Sequence, residues 1–408
     1  MERLYNQKVL VVGVDIGRER HTAVGLTPDG RRYGHFDFSN NGEGFRKLLN
    51  EVMKWKVESG MERVLFGIEP SGHYWLTLAH FLRKNGYEFF TVHPFAQKRM
   101  RDIEDNSPLK SDKKDAYIIA DLLMQGKCIR GVIPEGIYAE LSKLMVFRRK
   151  LVKEMVGLKN YITSAVELVF PEIFLVFKSL WTKTAIYFLK NYLPLERVKK
   201  IGFETLYFEL RRVSRGKIGV VEVVQKLKSL AETSVGLKDG ADIMVEELRF
   251  YIRRLEEVME AINKVERRIK SLVKSVEEAE FLLSIKGVGY LTVAAFLGFT
   301  NGLRDFQSSD EVLKFMGLNL VFKQSGKRRS KPHISKRGNS TLREAMFLAG
   351  LRQARKNAPL YNYYLKLKNK GKKGTVILIA LTRKLVRVLF KIVKNKTHFN
   401  PDYISEVA

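Results

Sequence analysis

Lys8-Val9-Leu10-Val11-Val12-Gly13-Val14-Asp15 decides the fold. The run is rich in β-branched valine, is too short for a buried helix, and ends on a carboxylate, so it reads as a buried strand. An acid at the C-terminal end of such a strand stands at the edge of a sheet and not inside its core. Outward from this run, His21 to Thr27 and Arg32 to Ser39 read as two further strands. Pro28-Asp29-Gly30 lies between them as a turn signal. Gly44 to Trp55 has helical spacing. Arg63 to Ile68 is a second apolar strand and ends at Glu69. His73 to Lys84 reads as a helix, Tyr87 to Val92 as a strand, and Asn106 to Lys110, with Pro108, as a loop. Asp112 to Met124 reads as a helix whose apolar side carries Ile118, Ile119, Leu122 and Leu123.

The order is three strands, helix, strand, helix, strand, helix. That is a mixed α/β sheet opening with a hairpin, the order of the ribonuclease H fold. The remainder reads as all-α. Residues 138–169 are helical and basic, and aromatic-rich helical stretches follow Pro171. From Met244 to Leu283, Leu248, Tyr251, Ile252, Leu255, Val258, Ile262, Val265, Ile269 and Leu272 keep a spacing of three and four. This stripe suits a coiled-coil assembly arm or a bundle helix inside one chain, and spacing alone does not choose. The expected organisation is 1–130 as an α/β nuclease domain, 131–280 as a helical and coiled-coil region, and 281–408 as a helical C-terminal domain.

Of 408 residues, 45 % are hydrophobic, enough for real cores. Lysine and arginine number 73 against 44 aspartates and glutamates, giving a formal charge of +29. Such charge opposes compaction and calls for a polyanionic partner. Nucleic acid fits, because phosphate contacts release counterions. A membrane span does not, since no apolar stretch approaches the roughly 20 residues required. The nearest, from Thr375 to Leu381, runs into Arg383, Lys384, Arg387 and Lys391. No signal peptide is evident at the start. The single cysteine, Cys128, allows no internal disulfide and no cysteine zinc site. The expectation is a cytosolic, nucleoid-associated protein.

Phosphodiester chemistry needs an activated nucleophile and a stabilised leaving oxygen, and two divalent ions about 4 Å apart supply both. Carboxylates hold such ions. Asp15 and Glu69 both follow apolar strands, and Asp112 and Asp115 share a face at i and i+3 of one helix. The four converge if that helix packs beside the two strand ends. Taken singly, Asp112 is also a natural helix N-cap and Asp115 a favourable first-turn charge. Val14-Asp15-Ile16-Gly17 is also similar to the first phosphate loop of actin-like ATPases, although Arg18-Glu19-Arg20 follow where that loop carries a hydroxyl.

In the last third, Leu283 to Thr292 has the pattern of a helix-hairpin-helix. Its Gly287-Val288-Gly289 turn offers N–H groups at a helix N-terminus to a DNA phosphate, or simply meets a turn's need for glycine. Lys323 to Arg343 contains no acid. Within it, Lys327, Arg328, Arg329, Lys331, Lys336 and Arg337 are expected nucleic-acid contacts. Ser325, between Gln324 and Gly326, is by its chemistry either a phosphate donor, a turn residue or a nucleophile.

Together these pieces resemble the insertion-sequence transposases with an N-terminal RuvC-like Asp-Glu-Asp-Asp domain and a C-terminal serine domain, a group that includes bridge-RNA-guided recombinases. The N-terminal pieces are Gly-Val-Asp15-Ile, Gly-Ile-Glu69-Pro-Ser-Gly and Lys-Ser-Asp112-Lys-Lys-Asp115-Ala. The C-terminal pieces are Ile285-Lys-Gly-Val-Gly289, Phe315-Met-Gly-Leu318, Ser325-Gly326 and Ile334-Ser-Lys-Arg-Gly-Asn339 followed by Leu342-Arg343. The resemblance implies Mg2+ or Mn2+ on the four acids. It implies that Ser325 attacks a DNA phosphate and forms a transient phosphoserine link, that the middle helices assemble a homo-oligomer (dimer or tetramer), and that a guide (bridge) RNA is a partner. The group often carries two serines before the glycine; Gln324 replaces the first here, which leaves Ser325 at that spot and Ser330 as the fallback. Two other functions fit the same residues: a metal-only RuvC-like junction-resolving nuclease, and a non-catalytic nucleic-acid-binding protein.

Overall fold

A computed structural model of the chain describes residues 3–70, 72–104, 111–216, 219–322, 324–325, 328–329 and 331–406; the side chains at 103, 104, 324, 325, 328, 329, 405 and 406 are not described. Two compact units emerge, one formed by residues 1–142 with 277–408, the other by 143–276.

The valine run becomes β1 (Val9–Ile16), buried without interruption from Val9 to Val14. β2 (Arg20–Leu26) and β3 (Arg32–Ser39) follow as antiparallel neighbours. The turn between them has Gly30 at φ +84 and a hydrogen bond from Thr27 Oγ1 to Asp29 Oδ1 at 2.6 Å. α1 (Gly42–Ser59) is capped by Asn41, whose Oδ1 accepts from the Gly44 N–H at 2.8 Å. β4 (Arg63–Ile68) lies parallel to β1; α2 (Trp75–Lys84) then leads to β5 (Glu88–Thr91), parallel to β4. α3 (Pro94–Glu104), α4 (Asp112–Met124) and a short antiparallel edge strand, β6 (Ile129–Arg130), complete the domain. The sheet order is β3-β2-β1-β4-β5-β6. With its first three strands antiparallel and β1, β4 and β5 parallel, this mixed sheet is consistent with the ribonuclease H fold.

Strand alternation divides β1 between two cores. Leu10, Val12 and Val14 pack with Leu48, Val52 and Trp55 of α1 and Leu78 and Leu82 of α2. Val9 and Val11 face the other way, onto Ile118, Ile119, Leu122 and Leu123 of α4.

The helical unit is built on two long helices. α5 (Gly136–Val169) starts in the first unit and runs on through the second, and a 3-10 turn (Pro171–Leu175) follows it. Then come α6 (Lys183–Tyr192), α7 (Leu195–Lys200), α8 (Phe203–Ser214), α9 (Val220–Thr233) and α10 (Ala241–Lys274). Arg148 with Glu266, Arg254 with Glu154, and the stacked rings of Tyr161 and Tyr251 hold α5 and α10 antiparallel. Of the stripe, Leu248, Ile252, Leu255, Val258, Ile262, Val265 and Ile269 are buried within the one chain, while Tyr251 and Leu272 are half-buried. Of the two readings its spacing allowed, the bundle helix describes this burial.

The last third is α11 (Glu277–Leu283), α12 (Tyr290–Thr300), a 3-10 turn (Asn301–Leu303), α13 (Ser309–Phe315), four two-residue strands, β7 (Leu320–Val321), β8 (Gln324–Ser325), β9 (Arg328–Arg329) and β10 (His333–Ile334), and then α14 (Ser340–Gln353), α15 (Tyr361–Asn369), α16 (Gly374–Asn395) and α17 (Asp402–Glu406). Its core is α12, buried all round from Thr292 to Thr300 and packed on α14, which lies on α16. Polar contacts join this third to the sheet domain within one unit. Arg83 reaches Glu135 at 3.0 Å and Asp305 at 3.3 Å, and the Glu135 N–H donates to Asn301 Oδ1 at 3.0 Å. Among the described residues no helix is long and apolar enough to cross a membrane.

Candidate active site

Asp15 continues the face of β1 that carries Val9, Val11 and Gly13. Glu69, one residue past β4, continues the alternation of Leu65 and Gly67. Both acids are therefore in phase with the side of the sheet covered by α4. Two glycines set how closely α4 approaches. Gly13 and Gly67 are register partners on neighbouring strands. A Cβ on Gly13 would lie 2.1 Å from the Ala116 carbonyl oxygen and 2.4 Å from the Ala120 nitrogen; one on Gly67 would lie 3.0 Å from Ile119 Cγ2. The backbone of α4 thus rests almost directly on β1, and its first turn arrives at the strand ends.

Ser111 caps that turn, its Oγ accepting from the Lys114 N–H at 3.3 Å. The N-cap role open to Asp112 thus falls to its neighbour, and Asp112 sits exposed in the first turn. Asp115, one turn deeper, is only 1 % exposed. Asp15, Glu69, Asp112 and Asp115 all line one pocket of about 440 Å³.

Part of this pocket's lining belongs to α3, which sequence pattern alone did not reveal. Pro94, Gln97, Lys98 and Arg101 line it at i, i+3, i+4 and i+7, one face of a helix. Arg101 directs Nε (2.8 Å) and a terminal guanidinium nitrogen (2.5 Å) at Asp115 Oδ1. Gln97 is 2 % exposed, and its amide nitrogen has no hydrogen-bond partner among the described residues. The signals for α3 are a proline at the first helical position, with His93 Nδ1 accepting from the Phe95 N–H at 3.1 Å, and the pair Ala96 and Met100 packed on the α4-side core. Behind the Asp15 strand end, the Gly17 N–H donates to His21 Nδ1 at 3.2 Å. The His21 imidazole is held below its ordinary range by burial, which keeps it neutral.

The C-terminal motifs also meet in space. The Lys336 N–H donates to the Gly317 carbonyl (3.0 Å) and the Asn339 N–H to the Phe315 carbonyl (2.9 Å); an Arg343 guanidinium N–H donates to the Met316 carbonyl (2.8 Å). This joins the Phe315-Leu318 segment to the Ile334-Asn339 segment, and Asn339 then caps α14 through the Leu342 N–H at 2.9 Å. A Cβ on Gly338 would lie 2.3 Å from the Phe315 carbonyl oxygen, so that junction needs glycine. Ser325 lies on β8, paired across an antiparallel ladder with Arg328 of β9, while Gln324 pairs with Arg329. Gly326, Lys327 and Ser330 fall outside the described residues. Lys331 and Lys336 are exposed; Arg337, also exposed, stacks its guanidinium 4.2 Å from the centroid of the Phe95 ring on α3. A second cavity of about 290 Å³ is lined by Lys127, Lys314, Arg337, His93 and His333. α11 and α12 are joined by a turn with Gly287 at φ +92, whose preceding Lys286 carbonyl accepts from Gln353 Nε2 at 2.9 Å; Gly289 is the residue before α12. Cys128 is buried in the α4-side core and its thiol is pushed up to about 11 by burial, which keeps it protonated and inert.

Comparison with known proteins places both halves together. A transposase family model of the IS110 DEDD type matches residues 12–171. A second, described as Transposase IS116/IS110/IS902 family, matches residues 279–365. The chain belongs to the IS110/IS116 family of transposases. The transposase is 24 % identical over 400 residues to the insertion element IS116 uncharacterized 44.8 kDa protein of Streptomyces clavuligerus, covering 96 % of each chain. It is 26 % identical over 394 residues to the insertion element IS110 uncharacterized 43.6 kDa protein of Streptomyces coelicolor, covering 95 % of each. The transposase for insertion sequence element IS1111A of Coxiella burnetii matches at 36 % over 84 residues, 21 % of this chain and 23 % of that one.

A DEDD-type transposase domain implies dependence on a divalent metal. The donor set suits a hard cation, being four carboxylates on one polar pocket. The burial of Asp115 also demands a cationic partner, and in this conformation Arg101 is that partner. Among the described residues no three acids, imidazoles or thiolates stand close enough to ligate one ion.

Proposed function

We propose that this transposase cuts DNA and rejoins it through a covalent protein–DNA intermediate. Asp15, Glu69, Asp112 and Asp115 would hold divalent ions, and Ser325 would be the nucleophile. The observation that carries the reading is the convergence of four acids, from three separate stretches of sequence, on one pocket. Bound there, the metal would supply Lewis-acid stabilisation of the charge that develops on oxygen. The chain's own residues do the rest. The Ser325 oxygen bonds to phosphorus, the P–O bond to one sugar breaks, the serine proton is lost to solvent and the departing sugar oxygen takes one up. Attack by another sugar hydroxyl reverses the step and restores the serine, so strands are rejoined without ATP.

Ser325 lies in the acid-free segment from Lys323 to Arg343, with arginine in register across β8 and β9, which supports a phosphate at that place. Lys327, Arg328, Arg329, Lys331, Lys336 and Arg337, with the Gly287-to-Gly289 turn, are proposed to grip the nucleic-acid backbone. The charge of +29 supports a large polyanion, and a guide RNA and a homo-oligomer are part of the proposal. RNA that co-purifies with the protein and is needed for site choice would test the guide.

The experiment uses Mg2+ and duplexes carrying the DNA ends that flank the gene. Wild type should give a denaturant-resistant protein–DNA adduct. Ser325→Ala should lose adduct and strand exchange while still binding DNA, and Asp15→Ala should lose both activities. Recombination by Ser325→Ala, or cleavage by wild type with no adduct under any trapping condition, would replace this reading with that of a metal-only resolving nuclease.

A further inference from the structure

We propose that Arg101 is a placeholder cation: it neutralises Asp115 in the resting protein, leaves it when a divalent ion enters the acid pocket, and then contacts the DNA phosphate. The inference rests on the metal reading of the four acids.

A carboxylate as buried as Asp115 is stable as an anion only beside a cation. Arg101 meets that need with two nitrogens on one oxygen, Oδ1. A buried ion pair can serve structure alone. This one stands in the wall of a polar pocket with three more acids, and the guanidinium side chain is 23 % exposed. A divalent ion and a guanidinium on the same carboxylate oxygen would repel each other at close range, so metal binding at Asp115 Oδ1 and the Arg101 contact compete.

The departing guanidinium has somewhere to go. The pocket face of α3 presents Lys98 and Arg101, which only donate, and Gln97, whose buried amide nitrogen has no partner among the described residues. The carboxylates of this pocket suit cations; the donors of α3, together with Arg20 of β2, suit an anion such as a phosphodiester. Ala96 and Met100 anchor α3 in the core, so the exchange needs a side-chain rotation and no movement of the helix.

The test measures Mn2+ binding by electron paramagnetic resonance on the DNA-free, full-length protein, in wild type, Arg101→Gln, Arg101→Lys and Asp15→Ala. Arg101→Gln should bind Mn2+ more tightly than wild type by about tenfold, and Arg101→Lys by about threefold. Arg101→Gln should melt below wild type without metal and gain more from Mn2+ than wild type does. Its single-turnover DNA cleavage should nonetheless be slower, a split between metal affinity and rate that a merely structural arginine does not produce. If Arg101→Gln is too unstable to handle, Arg101→Lys carries the same comparison. Unchanged or weaker Mn2+ binding in the Arg101 variants, with binding abolished in Asp15→Ala, would overturn the placeholder role and leave the metal site standing. No saturable Mn2+ binding in any variant, or wild-type binding by Asp15→Ala, would overturn the metal site and the placeholder role together.

Discussion

Gly13→Ala adds one methyl group at the closest contact between the sheet and α4. The new carbon would sit 2.1 Å from the Ala116 carbonyl oxygen, 2.4 Å from the Ala120 nitrogen and 3.0 Å from its Cα. All three atoms are helix backbone, so no side chain can swing aside. Restoring a separation near 3.5 Å requires α4 to retreat by about 1 Å or more. Overpacking of this kind destabilises by about 1–3 kcal/mol. The larger effect is positional, because α4 carries Asp112 and Asp115 while Asp15 stays on β1. A misplacement of about 1 Å costs on the order of 100-fold in rate. Single-turnover cleavage in Mg2+ should fall by about that factor, with DNA affinity unchanged. Leu48→Ala is the control: it lies in the core on the opposite face of the sheet and should lose about 2–5 kcal/mol while cleaving at nearly the wild-type rate below its melting temperature. Gly13→Ala cleaving within twofold of wild type, or Leu48→Ala slowing just as much, would refute the reasoning.

Asp15→Ala and Asp115→Asn should both abolish cleavage and spare DNA binding, but their stabilities should part. Asp115→Asn strips Arg101 of its counter-ion and should lower stability by about 1–3 kcal/mol in urea titrations, whereas Asp15→Ala should not. Affinity for unrelated duplexes, read by fluorescence anisotropy, should fall steeply with KCl. Lys286→Glu should weaken all duplexes alike; it is a cleaner probe of the α11–α12 turn than Gly287→Val, whose side chain would meet Gln353 Nε2 at 2.9 Å from a backbone at φ +92. Replacing Leu255 and Ile262 together by lysine buries charge in an intrachain core, costing several kcal/mol, so circular dichroism should show lost helix even where sedimentation shows an unchanged mass. His21, neutral in the fold, contributes stability above about pH 6.5 that is lost as pH falls toward its lowered folded value. Urea midpoints should therefore drop between about pH 7.5 and 5.5, and drop less in His21→Phe.

The sheet domain was legible because its strands are short, apolar and punctuated. Arg63 to Ile68 and Arg32 to Ser39 occupy their expected bounds, and Asp112 to Met124 is the expected helix. The positions of the four acids followed from strand ends and helix phase. α3 escaped because Gln97-Lys98-Arg99-Met100-Arg101-Asp102 is almost wholly polar: with one face on the acid pocket and a narrow one on the core, it lacks the wide apolar stripe by which helices are recognised. The meaning of Gly13 was equally hidden, since a glycine in a strand shows only that something comes close, and not that α4 does. Nor does spacing along α10 say whether its stripe meets another chain or its own; burial against the rest of its unit does.

The route of the chain has a consequence for biosynthesis. α5 departs and α11 returns at one place, where the Tyr138 hydroxyl donates to Glu278 at 3.0 Å, and the whole helical unit is made in between. A ribosome adding about 5–20 residues per second needs on the order of ten seconds or more for that detour. Throughout it, Arg83 and Glu135 wait for Asp305 and Asn301, and the Phe95 end of α3 waits for Arg337. A nascent chain interrupted after the sheet domain holds all four carboxylates but lacks the contacts that complete its unit.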